Sequence, residues 1–143
     1  MLYPLSYGRC SERLPLSPMP RVLVVDDDPQ VLKLLRVNFE LEGYDVMTAT
    51  NGEEALELVG RDTPDAVVCD VMMPGIDGLE VVRRLRAQPD TVALPLVVVS
   101  AKAQQADVRA GLALGADAYV TKPFDPSELL EVVAQLLAKR QSE

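Results

Sequence analysis

From Arg21 onward the chain alternates short apolar runs with stretches of helical periodicity. The runs are Val22–Val25, Asp45–Ala49, Ala66–Cys69, Leu94–Val99 and Ala118–Thr121. The helical stretches cover about 28–42, 52–60, 78–87, 104–114 and 126–139. Continuous rather than alternating apolar runs predict strands covered on both faces. Strand-helix alternation repeated five times predicts a parallel sheet with right-handed crossovers, an α/β doubly wound domain.

The helix starts carry capping chemistry. Asp28-Pro29 sets a carboxylate before a proline at the first helical position. Asp125-Pro126-Ser127-Glu128 repeats this and adds the glutamate of a capping box. Asp77 with Glu80, and Thr50 with Glu53, show the same spacing. The last helix places Leu129, Val132, Val133, Leu136 and Leu137 on one face. The fourth helix is weakest, with Gly111 in its interior, alanines expected on its inner face and no clear cap.

The segment before this pattern differs in kind. Residues 1–19 show no periodicity and read as an extended or disordered arm ahead of a domain at 20–140. Met19 precedes the first apolar run and is an alternative natural start. The arm carries +1 from Arg9, Arg13 and Glu12, so with a formal net charge of −8 the rest of the chain carries −9. That balance argues against nucleic-acid binding. Aromatic residues at 4% are too few for a base-stacking platform. No apolar run is long enough for a signal-peptide core or a membrane span. Cys10 and Cys69 form neither a metal spacing nor a redox pair, so a reduced, cytoplasmic setting is expected.

The chemistry sits where the strands end. The first ends in Asp26-Asp27-Asp28, the third in Asp70, the fourth in Ser100 and the fifth in Thr121-Lys122-Pro123. In a parallel sheet these ends share one edge, where ligands of open α/β sheets bind. If the first and third strands are neighbours, Asp26, Asp27 and Asp70 converge, with Ser100 and Lys122 beside them. Clustered carboxylates repel one another unless protonated or paired with a cation. The chain has no histidine, so the ligands on offer are hard oxygens, which suit Mg²⁺ or Mn²⁺ rather than zinc or copper. Mg²⁺ held by one or two carboxylates commonly takes a phosphate as well. Lys122 is placed to neutralise phosphate charge and Ser100 to donate to a phosphoryl oxygen. An aspartate can itself accept the phosphoryl group. Spacing alone does not say which acid is the nucleophile. Asp28 and Asp77 read as helix caps, and Cys69 and Met73 as core.

Four separated strings bear on this site: Val24-Val25-Asp26-Asp27-Asp28-Pro29; Asp70-Val71-Met72-Met73-Pro74-Gly75-Ile76-Asp77-Gly78; Val99-Ser100-Ala101-Lys102; and Tyr119-Val120-Thr121-Lys122-Pro123-Phe124. Together they resemble the response-regulator receiver domain of two-component signal transduction. The resemblance implies the flavodoxin-like strand order 2-1-3-4-5. It implies Asp70 as the phosphoacceptor and Asp27 as a direct Mg²⁺ ligand. Asp26 acts mainly through a bound water, and the main-chain carbonyl of Met72 is a further ligand. Ser100 becomes the hydroxyl that moves to the phosphoryl group, Lys122 the active-site lysine, and Tyr119 the aromatic whose rotamer reports activation. Lys122-Pro123 is expected to be a cis peptide.

The implied partners are a sensor histidine kinase or histidine phosphotransfer protein in a phosphorelay, and a downstream effector protein. A phosphorylation-dependent homodimer is kept open; direct contact with nucleic acid or membrane is not expected. Such a domain catalyses only its own phosphorylation and dephosphorylation. With Glu143 just past the last helical stretch, output is expected through partner binding. The alternatives are a fragment of a longer DNA-binding regulator, a Mg²⁺ phosphohydrolase with Asp26 as nucleophile, and a pseudo-receiver that only binds partners.

Overall fold

In a computed structural model that describes residues 19–142, five strands alternate with five helices. They are β1 (Arg21–Val25), α1 (Pro29–Leu41), β2 (Asp45–Ala49), α2 (Gly52–Arg61), β3 (Ala66–Asp70), α3 (Gly78–Arg86), β4 (Leu96–Ser100), α4 (Gln105–Ala113), β5 (Ala118–Thr121) and α5 (Pro126–Ser142). The strands form one parallel sheet in the order β2-β1-β3-β4-β5. The expected arm at 1–19 falls, apart from Met19, outside the described residues, as does Cys10.

Every residue of β3 and β4 is buried, as continuous apolar strands require. Alternate strand residues feed two separate cores. Leu23, Val25, Val67, Cys69, Leu96 and Val98 pack with Ala55 and Val59 of α2 and Val81, Val82 and Leu85 of α3. Val22, Val24, Val68, Val97, Val99 and Val120 pack with Leu32, Leu35 and Phe39 of α1 and Leu129, Val133 and Leu137 of α5. This sandwich of sheet between helices leaves the carboxyl ends of the strands free to carry polar groups. Among the described residues no helix is long and apolar enough to cross a membrane.

The aspartate caps of α1 and α3 hold, and the cap of α2 is corrected. Asp28 accepts from the Gln30 amide and Asp77 from the Glu80 amide, each fixing a helix start beside the strand edge. α2 is capped by Asn51, whose side chain accepts from the Glu54 amide, rather than by the expected Thr50 with Glu53. Glu54 in turn accepts from the amide and hydroxyl of Thr50. The box is shifted by one residue because an amide oxygen caps as well as a hydroxyl. β4 starts at Leu96, not Leu94, since Pro95 lacks the amide that a ladder needs. α4 has no side-chain cap, as expected, but its alanines do not face inward. Ala106, Ala110 and Ala113 are not buried, and Gly111 is its one buried residue.

Glycine is needed at Gly78 for close approach. A β-carbon there would lie 2.3 Å from the carbonyl oxygen of Asp70 and 2.8 Å from the α-carbon of Val71. The Gly78 amide also donates to the Val71 carbonyl at 2.9 Å. The start of α3 thus rests directly on the backbone that presents Asp70. Gly60, exposed on α2, would find nothing within 4 Å of such a β-carbon. Gly78→Ala is therefore expected to cost about 2 kcal/mol through overpacking, and Gly60→Ala to gain about 1 kcal/mol through helix preference. Urea unfolding of the two variants checks this, and shifts of the same sign would contradict it.

Candidate functional site

The sheet edge assembles the carboxylates as expected. Asp26 and Asp27 follow β1 directly, and Asp70 is the last residue of β3. β1 and β3 are paired neighbours, so one carboxylate oxygen from each of the three residues lies within 4.8 Å of the others. Asp26 and Asp70 are 3% and 5% exposed, while Asp27 is open to solvent. Asp28 points its carboxylate at the Gln30 amide of α1 instead and stays outside the cluster.

One cation sits between the buried pair. Lys122, just past β5, places Nζ 3.3 Å from Asp26 Oδ2 and 3.4 Å from Asp70 Oδ1. Asp26 Oδ1 accepts from the Asp28 amide at 2.9 Å. Asp70 Oδ1 also accepts from the Met72 amide at 3.4 Å. Among the described residues, Asp70 Oδ2 accepts no hydrogen bond, whereas both oxygens of Asp26 are engaged. The Lys122-Pro123 peptide is cis, as the resemblance implied.

The remaining site residues stand around this group. Ser100 ends β4, fully buried, one residue beyond the register partner of Asp70. Its carbonyl accepts from the Lys122 amide at 2.8 Å, which ties β4 to the strand that delivers the lysine. Met72 is 53% exposed and lines a cleft of about 380 Å³ with Lys102, Leu79 and Tyr119. Tyr119 is half-buried on the α4 side of β5, away from the carboxylates. Its hydroxyl donates to the Lys102 carbonyl at 2.8 Å, and the Lys102 amide donates to Ser100 Oγ at 3.0 Å. Sequence reasoning missed this main-chain role of Lys102, for which a backbone contact leaves no residue signal. It also missed the packing of Gly78 on Asp70, which a glycine directly after a capping aspartate could have suggested.

The family model for the response regulator receiver domain matches residues 22–134. The chain belongs to this family. Among curated relatives of the receiver, it is 46% identical over 121 residues to the alkaline phosphatase synthesis transcriptional regulatory protein PhoP of Bacillus subtilis, covering 85% of this chain and 50% of that one. It is 49% identical over 119 residues to the response regulator MprA of Mycobacterium leprae, covering 83% and 51%. The chain thus spans about half the length of these curated relatives. Among solved structures, a putative response regulator from Chloroflexus aurantiacus is similar at a TM-score of 0.80 and 40% identity, covering 84% of this chain and 98% of that one.

The electrostatics of this receiver site explain its appetite for positive charge. Burial, then the neighbouring Asp26, pushes the Asp70 carboxyl up from its ordinary value, against the pull of Lys122 and the Met72 amide. Burial lowers the affinity of Lys122 for its proton, but Asp70 and Asp26 outweigh that and leave its pKa raised. Burial also pushes the Cys69 thiol up, so it is an inert core residue. A single ammonium against three carboxylates leaves excess negative charge, and every donor is a hard oxygen. The residues therefore fit a divalent cation of the Mg²⁺ type.

A raised carboxyl pKa means that the folded state holds the Asp70 proton more tightly than the unfolded chain does. Stability should then fall as pH rises from 3.8 through the raised value, and level off above it. In chelator, Asp70→Asn is expected to gain stability relative to wild type as pH rises from about 4 to about 7. Urea midpoints across that range check the difference; a gap independent of pH would contradict it.

Proposed function

We propose that this chain is a two-component receiver that takes a phosphoryl group onto Asp70, in a Mg²⁺-dependent reaction, from the phosphohistidine of a sensor kinase or phosphotransfer protein. The observation that carries this is the convergence of Asp26, Asp27 and Asp70 around Lys122, with Asp70 Oδ2 left unengaged. Asp70 Oδ2 attacks phosphorus as the bond from phosphorus to the donor imidazole nitrogen breaks. The electron pair of that bond leaves with the imidazole, and a mixed anhydride remains on Asp70. Asp26, Asp27, Asp70 and the Met72 carbonyl would hold the Mg²⁺, whose charge would screen the carboxylates from the incoming phosphoryl oxygens. Lys122 keeps its ammonium beside Asp70 throughout. Ser100 Oγ already accepts from the Lys102 amide, so its proton is free to donate to a phosphoryl oxygen. In hydrolysis water attacks phosphorus, the bond from phosphorus to Asp70 breaks with its electron pair left on the carboxylate, and inorganic phosphate departs with the proton balance met by solvent.

The engaged oxygens of Asp26 weigh against a hydrolase that uses it as nucleophile. The receiver unit is assigned to residues 20–140 and the arm to 1–19; signalling runs through Ser100 and Tyr119 to an effector protein. A cytoplasmic setting agrees with a free, buried Cys69 thiol. A second reading is favoured by the relatives. One is named a transcriptional regulatory protein, and this chain spans half of it. On that reading the domain is the receiver of a longer regulator that acts on DNA, with dimerisation through α4, β5 and α5 as its output. A DNA-binding segment in the reading frame past residue 143 would support this, and a stop codon there would exclude it.

A small phosphodonor with Mg²⁺ is expected to add one phosphoryl group that hydroxylamine removes, and Asp70→Asn to abolish it. A label on Asp26 or Ser100 would overturn the assignment. Mg²⁺ at about a hundred times its dissociation constant should stabilise the wild type by about 2.7 kcal/mol. Asp27→Ala should lose most of that gain in a thermal melt; an undiminished gain would place the metal elsewhere.

A further inference from the structure

A chain of contacts runs from the Ser100 hydroxyl to α4. Ser100 Oγ accepts from the Lys102 amide at 3.0 Å, and the carbonyl of that same residue accepts from the Tyr119 hydroxyl at 2.8 Å. The Tyr119 ring then lies on Gly111. A β-carbon at position 111 would sit 2.9 Å from Cδ2 and 3.1 Å from Cε2 of that ring, with Leu79 Cδ2 at 3.6 Å. Such an approach is too close for packed carbon atoms. A side chain at 111 and the ring in this place therefore exclude each other. The helix backbone cannot yield cheaply, but the ring can, by turning about its first side-chain torsion.

Nothing in α4 itself calls for glycine here. Gly43, Gly75 and Gly115 have positive φ, but Gly111 does not. Alanine in a helix interior is favoured over glycine by about fivefold in the folding equilibrium. Gly111 is also the one buried residue of a helix that lacks a side-chain cap. Its only evident function is to admit the ring.

We propose that Gly111 is a positioning residue for phosphoryl transfer. Its missing side chain keeps the Tyr119 ring inward, the Tyr119 hydroxyl keeps the Lys102 carbonyl, and the Lys102 amide keeps the Ser100 hydroxyl in place. The functional consequence rests on the phosphoacceptor reading of Asp70, whereas the cause rests on packing alone. A side chain at 111 turns the ring outward, releases Lys102 and leaves Ser100 less well held when the phosphoryl group arrives.

Four proteins test this: wild type, Gly111→Ala, Tyr119→Ala and the double variant. In urea, without metal or phosphodonor, Gly111→Ala should raise the folding equilibrium about fivefold in the Tyr119→Ala background, where the space is vacated. With Tyr119 present it should give no gain or a loss. With Mg²⁺ and acetyl phosphate, Gly111→Ala should slow labelling of Asp70 about threefold or more. It should slow the Tyr119→Ala protein no further. Equal stability changes in both backgrounds would overturn the exclusion. Non-additive stability with an unchanged labelling rate would overturn the positioning role. A wild type that takes no label would overturn the phosphoacceptor reading, and the metal-free stability comparison would still decide the packing.

Discussion

Two buried carboxylates share one ammonium, and the rest of the site follows from that imbalance. Asp26 and Asp70 are removed from water at adjacent strand ends, and among the described residues Lys122 alone bridges them. Removing charged groups from water is costly unless they are paired and hydrogen-bonded. The fold supplies the pairing only in part: two amides and one ammonium face the two acids, and Asp27 adds a third charge from solvent. The remaining deficit is what a divalent cation would meet, and its charge would in turn favour the approach of an anionic phosphoryl group.

Keeping the acids close despite their repulsion needs a stiff frame. Strand pairing fixes β1 beside β3 through four register positions, and the bare backbone of Gly78 locks α3 against the Asp70 carbonyl. The opposite edge is tied just as firmly. Arg86 donates to the carbonyls of Gly115, Thr91 and Leu94 and to the Asp117 carboxylate, which also accepts from the Leu96 amide. α3, β4 and the turn into β5 are thereby held together at their far ends. The less restrained part is the site edge between β4 and α4, where an uncapped helix start meets the Lys102 main chain. On the proposed function, a change of charge at Asp70 would act on that end of the molecule.

Much of this was legible in the residues. The runs Val22–Val25 and Leu94–Val99 announce strands buried on both faces, β1 and β4, although β4 begins only at Leu96, and the aspartates at 28 and 77 announce helix starts. The polar residues at the strand ends disclosed the site because a parallel sheet collects those ends on one edge. Spacing did not separate nucleophile from ligand. On the proposed function that distinction depends on which oxygens are already hydrogen-bonded, a tertiary property that, among the described residues, leaves Asp70 Oδ2 unengaged and Asp26 occupied. The inner face of α4 was misread because alanine is small enough to suit either a tight interface or solvent. Its true contact, Gly111 on the Tyr119 ring, joins residues whose pairing no local pattern encodes.

The charge imbalance at Asp70 can be read directly by carbon-detected NMR titration of the aspartate carboxyls, with and without Mg²⁺. The account predicts that Asp70 in the metal-free protein titrates above 3.8, its ordinary value, and that Mg²⁺ brings it down. An Asp70 carboxyl that titrates at or below that value without metal, and does not move when Mg²⁺ is added, would contradict it.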